Sequence, residues 1–196
     1  MARVDQIKAE DWPDELKDML HPEKMTDLEQ GLMRYWAHRP DLVQGLAAFS
    51  GGLKMNRKLP EKLVELVRLR IAFFNQCRSC MAIRYTDALN DGLTEDLVCS
   101  LERPEEAPDL TDAEKAAIRY GELMATDHLS ANDEIYGELR KHFSQEEIVE
   151  LGMTAAFFVG FGRLAATYHM VEELPGAFQE TEGEIAPWHN EAIVVR

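Results

Sequence analysis

Residues 60–80 read PEKLVELVRLRIAFFNQCRSC, and the prediction of the fold starts from these residues. A proline followed by Glu61 suits the first turn of a helix, where the proline's missing amide hydrogen removes no hydrogen bond. The apolar residues that follow recur at helical spacing and form a wide face: Leu63, Val64, Leu66, Val67, Ile71 and Phe74. The Asn75–Gln76 pair then interrupts the pattern, directly before two cysteines. The stretch therefore predicts a core helix, a break, and a second helix that begins at a C-x-x-C motif.

Helix signals dominate on both sides of this stretch. Capping boxes, in which Ser or Thr is followed three residues later by Glu, occur at Thr26, Thr111 and Ser144. We expect the first of these helices to run towards His38, and the one that Ser144 opens to end near Pro175. The sequence contains no convincing strand, and residues 183–196 read as a tail that packs extended against a neighbour. The prediction is an all-α fold.

The chain length of 196 residues suits one domain. We expect an N-terminal helical extension over residues 1–40, a helical core with the C-x-x-C over 41–175, and a C-terminal tail over 176–196. The segment 63–66 is echoed by 148–151 at an offset of 85 residues, which an old duplication would explain. Such a duplication predicts internal pseudo-symmetry, and it sets Arg84 against His169.

Acidic residues outnumber basic ones by 36 to 21, which gives a formal net charge of −15. This balance argues against nucleic acid and anionic membrane surfaces as partners, because both bind clustered Lys and Arg. The longest nearly uncharged apolar stretch, residues 151–161, is shorter than the roughly 20 residues of a membrane span. Residues 1–10 are charged and lack the apolar core of a signal peptide. These features predict a cytoplasmic protein.

The spacing of Cys77 and Cys80 points to thiol redox chemistry. Residues three apart share one helix face, so the two sulfurs can bond to each other. A helix start and the cations Arg78 and Arg84 favour a thiolate, which attacks peroxides and disulfides. Two other interpretations stay open: a metal site and an inert buried pair of cysteines. A zinc site needs four ligands, and the sequence has no second C-x-x-C motif to supply them. We therefore expect no metal and no cofactor.

Two further residues near the motif invite an interpretation. Glu65 lies twelve residues before Cys77. It is either a general base turned towards the thiols, or an ion-pair partner of Arg68 or plain surface charge. Cys99 has no charged or histidine neighbour in the sequence that would activate it. We expect Cys99 to be a small core residue.

The pattern of Glu65, Asn75, Cys77 and Cys80, followed by Gly92-Leu93-Thr94, resembles the carboxymuconolactone decarboxylase-like family. It is most similar to the AhpD-like alkylhydroperoxidase branch, and the likeness extends over roughly residues 42–174. The resemblance implies an AhpD-like helical bundle that assembles as a trimer or hexamer.

The resemblance also implies roles. Cys80 would attack a hydroperoxide, Cys77 would resolve the product as a disulfide, and Glu65 would join a proton relay with a histidine four residues after Cys80. This chain has Arg84 at that position. Arginine cannot relay a proton at ordinary pH, so we expect Arg84 either to hold the thiolate or to pair with Glu65. Tyr85 and His169 are the candidates to replace the missing histidine.

The sequence thus predicts a thiol-dependent antioxidant oxidoreductase that takes a hydroperoxide substrate and a protein or small-molecule thiol as reductant. Two alternatives remain open. One is the family's lyase chemistry on a cyclic lactone acid, which has no use for a dithiol. The other is a non-catalytic, redox-responsive helical assembly, which the loss of the relay histidine favours.

Overall fold

The computed structural model describes residues 2–179 and 183–196. Its α-helices are α1 (Asp14–Leu20), α2 (Asp27–Gln30), α3 (Met33–Trp36), α4 (Pro40–Met55), α5 (Glu61–Phe74), α6 (Arg78–Ala82), α7 (Thr86–Asn90), α8 (Glu95–Ser100), α9 (Asp112–Thr126), α10 (Asp133–His142), α11 (Gln145–Tyr168) and α12 (Gly176–Gln179). The strands are β1 (Ile83–Tyr85) and β2 (Ile193–Val195), and short 3-10 turns lie at Ala9–Asp11, Pro22–Lys24, Pro104–Glu106 and His128–Ser130. The predicted all-α class is confirmed.

Helix α5 is the central element of the core, packed between α9 and α11. Leu66, Val67 and Leu69 on this helix are fully buried. On α9, a Cβ at Gly121 would lie 2.9 Å from the Val67 side chain, so a glycine is what allows the two helices to approach. Truncating a leucine in such a core costs about 2–5 kcal/mol. The helix that leads into the cysteine motif is therefore held rigidly.

The predicted helix starts are confirmed, and two of the predicted helix ends are wrong. Thr26, Thr111 and Ser144 all form complete capping boxes. The helix expected from Thr26 to His38 is split into α2 and α3, because Gly31 adopts a positive φ of 47°. Helix α11 ends at Tyr168 rather than near Pro175, because His169 takes a left-handed conformation and caps it.

The expectation of no strand is also wrong. β1 and β2 form a parallel pair in which Ile83 faces Ile193 and Tyr85 faces Val195. The hydroxyl of Thr86 donates a hydrogen bond of 2.8 Å to the carbonyl of Val195. Three residues are too few to show the alternation that marks a strand, and the partner lies more than one hundred residues away in sequence. The extended tail thus packs against its own chain.

Helix α11 is long and apolar enough to cross a membrane by length and composition. About a third of its most apolar segment is buried inside the domain. It extends beyond the stretch 151–161 considered above, because a single charge at Arg163 does not end the helix. The core helix of a globular protein has the same composition, so one such helix is weak evidence for a span.

Candidate functional site

The two cysteines form a disulfide at the start of α6, where Cys80 lies in the first helical turn; we call residues 77–80 the cysteine turn. Their Cα atoms are 5.2 Å apart, a normal separation for a disulfide. Cys77 is the N-cap of α6, so the motif stands at a helix start, as the sequence predicted. Gln76 breaks the preceding helix with a left-handed φ of 49°.

Side chains on both sides of the break hold it in place. The Gln76 amide donates to the carbonyl of Phe73 at 2.7 Å and exchanges two hydrogen bonds with the backbone of Ile185 in the tail. The Asn75 amide donates to the carbonyl of Phe158 on α11 at 3.1 Å. A Cβ at position 162 would lie 2.6 Å from the Asn75 amide nitrogen, so Gly162 is what permits this contact.

The two cysteines differ in their access to small molecules. Cys77 is fully buried, whereas Cys80 is partly exposed and lines a cavity of about 290 Å³. The cavity walls are mainly apolar and come from the N-terminal helices, α11 and the tail; they include Leu28, Met33, Trp36, Phe157, Phe161 and Leu174. A ligand in this cavity can therefore reach Cys80 but not Cys77.

Glu65 is engaged in a buried ion pair with Arg68. The guanidinium donates two hydrogen bonds to the carboxylate, at 2.6 and 2.7 Å, and each side chain is less than one-tenth exposed. Burial by itself would lower the pKa of Arg68, but the charge of Glu65 and its hydrogen bonds outweigh this and raise that pKa above its ordinary value. Of the interpretations of Glu65 that the sequence left open, the structure shows the ion pair with Arg68, and Glu65 is buried rather than a surface charge.

Arg68 is the site residue that sequence reasoning missed, because it was considered only as a partner of Glu65. Its guanidinium also donates to the carbonyl of Cys80 at 2.6 Å and to that of Ile83 at 3.0 Å. It lies over the ring of Tyr85 at 5.1 Å. A signal was available, since Arg68 stands directly between the apolar residues Val67 and Leu69 of the predicted core helix. Arg68 thus joins the buried acid Glu65 to the backbone of Cys80.

Arg84 is fully buried and bound elsewhere. Its guanidinium forms a two-point ion pair with Glu95, at 3.0 and 3.1 Å. It also donates to the carbonyl of Met81 at 2.8 Å and to that of Pro187 in the tail at 2.9 Å. The expectation that Arg84 pairs with Glu65 is wrong, because Arg68 already occupies that carboxylate.

The two candidate substitutes for the missing histidine lie in different places. Tyr85 lines the same cavity as Cys80, and its backbone amide donates to Glu65 at 3.4 Å. His169 caps the end of α11, and within residues 2–179 and 183–196 its ring makes no hydrogen bond and does not line this cavity. The structure brings Tyr85, and not His169, to the cysteine site.

Cys99 lies at the core as expected, but it has a histidine neighbour that the sequence did not predict. It is partly buried against the main core, as expected for a small apolar residue. Its sulfur, however, lies 3.7 Å from Nδ1 of His189, a neighbour that no local sequence pattern could reveal.

Over the part of the chain that the structure describes, no group of three or more His, Cys, Asp or Glu side chains is arranged to hold a metal ion.

Comparison with known proteins agrees with this arrangement. The family model described as "Carboxymuconolactone decarboxylase family" matches residues 40–123, which include the Glu65–Arg68 pair and both cysteines. The part of the chain that resembles this family is therefore residues 40–123, fewer than half of the 196. The recognition made from the sequence motifs is thereby confirmed.

Two relatives of the chain are described as uncharacterised proteins. An uncharacterised protein of Mycobacterium tuberculosis is 35% identical over 119 residues, which is 59% of this chain and 41% of the relative. The uncharacterised protein YdfG of Bacillus subtilis is 30% identical over 88 residues, covering 44% of this chain and 60% of that protein. The match thus spans about two fifths of the mycobacterial relative.

Two solved structures share the fold. One, described as an alkylhydroperoxidase AhpD core and a peroxidase-related protein of Ralstonia eutropha, has a TM-score of 0.70 at 19% identity and covers 91% of this chain and 94% of its own. The other, a protein of unknown function from Agrobacterium tumefaciens, has a TM-score of 0.61 at 22% identity and covers 72% of this chain and 97% of its own. At these identities the likeness shows an AhpD-like fold.

Proposed function

We propose that this protein is an antioxidant dithiol oxidoreductase that reduces organic hydroperoxides, with Cys80 as the nucleophile and Cys77 as the resolving thiol. The observation that carries the proposal is the unequal access of the two sulfurs. Cys80 lines the apolar cavity, while Cys77 is buried behind it and bonded to it. An apolar cavity of this size favours an organic hydroperoxide over hydrogen peroxide.

The reaction begins from the reduced dithiol. The Cys80 thiolate attacks the outer oxygen of the hydroperoxide, the O–O bond breaks, and the alcohol leaves after taking up one proton. The Cys77 thiol then attacks the resulting sulfenic acid, which forms the disulfide and releases water. A thiol reductant, protein or small molecule, attacks the Cys80 sulfur and expels Cys77 as a thiolate; a second thiol completes the return to the dithiol.

The other site residues have supporting roles in this proposal. Arg68 holds the carbonyl of Cys80, and Glu65 holds Arg68, so both are positioning residues. Tyr85 lines the cavity and carries a hydroxyl that can give the proton required by the departing alkoxide. Arg84 fixes the tail against the cysteine turn.

Single-turnover kinetics with cumene hydroperoxide test the proposal. Cys80→Ser is expected to consume no peroxide, and Cys77→Ser to consume one equivalent and stop at the sulfenic acid. Cys99→Ser is the matched control and is expected to turn over normally. Turnover that survives in Cys80→Ser would end the proposal.

A redox-responsive assembly without turnover is the second candidate. One observation favours it: Glu65 and Arg84 are each held in an ion pair. Neither side chain is then free to transfer a proton. A dithiol that stays reduced in cumene hydroperoxide, yet is oxidised by small disulfides, would support this candidate over the peroxidase.

We also propose that the protein acts in the cytoplasm as a homo-oligomer. An apolar surface formed by α4 and α11 supports the assembly, since Phe49, Val149 and Met153 are 41%, 60% and 44% exposed. Light scattering should report a trimer or hexamer, and Val149→Glu should shift it towards the monomer. A wild-type monomer at high concentration would contradict this part of the proposal.

A further inference from the structure

The third cysteine lies in a relay of its own, away from the cysteine turn. The Cys99 sulfur is 3.7 Å from Nδ1 of His189, and Nε2 of the same ring is 3.4 Å from a carboxylate oxygen of Glu102. Each ring nitrogen therefore has a different partner. The three side chains form a line from thiol to imidazole to carboxylate.

Two separate elements build this line. Cys99 belongs to α8, and Glu102 follows it by three residues, so both fall on one side of the helix end. His189 comes from the tail, where the two residues before it are anchored. Pro187 accepts from Arg84, and the buried Trp188 ring packs on Phe73 with ring centres 4.7 Å apart. These contacts of Pro187 and Trp188 hold the tail in the position that places the His189 imidazole beside Cys99.

The linear order decides what the cluster can do. A metal site needs its donors to converge on one point, whereas here the two ring nitrogens face opposite partners. A nucleophile beside a base that is oriented by a third group is the arrangement of an activated thiol. Glu102 and His189 are more than half exposed and Cys99 is partly exposed, so a small molecule in solution can approach the sulfur.

We propose that Cys99 is a second reactive thiol, modified by small disulfides that carry no net negative charge. In this step the Cys99 thiol gives its proton to Nδ1 of His189, and the imidazolium donates its other N–H to Glu102. The thiolate attacks one sulfur of the disulfide, forming a mixed disulfide and breaking the original S–S bond. The leaving thiolate takes the proton from His189, so one thiol is consumed and one is released.

The charge preference follows from the surroundings. Asp96 lies one turn before Cys99 on α8, Glu102 lies one turn after it, and the whole chain carries a net charge of −15. An anionic disulfide approaches this surface against repulsion, while a cationic one is attracted. Cystamine should therefore react faster than oxidised glutathione. The proposal does not depend on hydroperoxide reduction, since it concerns a different sulfur.

The test uses the oxidised protein, in which Cys99 is the free cysteine. Peptide mass mapping after timed exposure to cystamine gives the rate at Cys99 and separates it from exchange into the Cys77–Cys80 bond. His189→Asn should slow the modification by about tenfold, because the amide cannot accept the thiol proton. Asparagine suits the position because it tolerates the left-handed backbone that His189 adopts, with a φ of 64°.

His142→Asn is the matched control. His142 also pairs with a glutamate, Glu138 at 3.2 Å, but no described hydrogen bond joins it to a cysteine. Its loss should leave the rate unchanged. Glu102→Gln tests the relay again without altering the tail, and it should slow the reaction several-fold.

Three results would overturn the proposal. The first is a rate in His189→Asn within a factor of two of wild type. The second is wild-type Cys99 reacting no faster when folded than in urea with the disulfide intact. The third is oxidised glutathione reacting as fast as cystamine, which would remove the stated ligand class.

Discussion

The two flanks of the cysteine turn each hold a buried arginine, and the two arginines are bound to different parts of the molecule. On the inner flank, Arg68 on α5 binds the acid Glu65 and the carbonyl of Cys80. On the outer flank, Arg84 on β1 binds the half-exposed Glu95 and the tail carbonyl of Pro187. The inner flank thus fixes the backbone of Cys80, whereas the outer flank fixes the tail.

This difference explains how the chain accommodates an arginine where the family motif has a relay histidine. Because Glu65 already has a cation on its own helix, Arg84 is free to turn outwards. It then serves an interaction that lies outside the matched family segment, since Pro187 belongs to the tail. The comparison predicts that damage to the inner flank costs more than damage to the outer one.

The largest effect is expected from Arg68→Met. This change leaves the Glu65 carboxylate buried without its partner, which should lower the free energy of unfolding by about 3–5 kcal/mol. Urea unfolding of the oxidised protein measures the effect. The double variant Glu65→Gln/Arg68→Met removes the orphaned charge and should recover most of the loss. A loss below about 1 kcal/mol in the single variant would show that the pair is not buried as described.

Arg84→Met should have a smaller effect, about 1–3 kcal/mol, because Glu95 can return to water and only backbone carbonyls lose their donor. The tail should loosen, so limited proteolysis within residues 183–196 should become faster. Glu95→Gln is the matched variant. It keeps an amide acceptor but leaves the buried Arg84 guanidinium without its counter-charge, so it should cost about as much as Arg84→Met. Equal losses from Arg84→Met and Arg68→Met would remove the distinction between the flanks.

Tyr85→Phe tests the proposed role of the Tyr85 hydroxyl as the proton donor in the cavity. The phenol makes no hydrogen bond to the described residues, so stability should be unchanged. The rate of peroxide consumption should fall by about tenfold if the hydroxyl protonates the leaving alkoxide. Stopped-flow measurement of the first turnover, with reduced protein, isolates this step. An unchanged rate would assign the proton to water.

The smallest effect is expected from His169→Asn. Asparagine keeps the left-handed cap of α11, and the histidine ring lies outside the cysteine cavity. The first-turnover rate should stay within a factor of two, and the free energy of unfolding within about 0.5 kcal/mol. A loss of peroxide consumption in this variant would revive His169 as the substitute relay.

Local patterns predicted the elements that depend on neighbours in sequence. The apolar face of α5, the break at Gln76 and the capping boxes were all read correctly, because each is encoded within a few residues. The pairing of Cys77 with Cys80 followed from their spacing in the same way.

The contacts that sequence reasoning missed all join distant segments. Neither the pairing of Ile193–Val195 with β1 nor the approach of His189 to Cys99 has a local signature, because each joins residues at least 90 positions apart. The role of Arg68 was missed for another reason: its i+3 spacing from Glu65 looks like an ordinary surface pair until both are seen to be buried. Pseudo-symmetry from a duplication stays a prediction.

A titration of free thiols during oxidation tests the central claim most directly. The fully reduced protein has three cysteines, and stoichiometric cumene hydroperoxide should rapidly remove two of their thiols. Mass mapping should find them in a single Cys77–Cys80 disulfide, with Cys99 still free. Persistence of both thiols, or oxidation confined to Cys99, would contradict the account and show that the cysteine turn is not a peroxide-reducing centre.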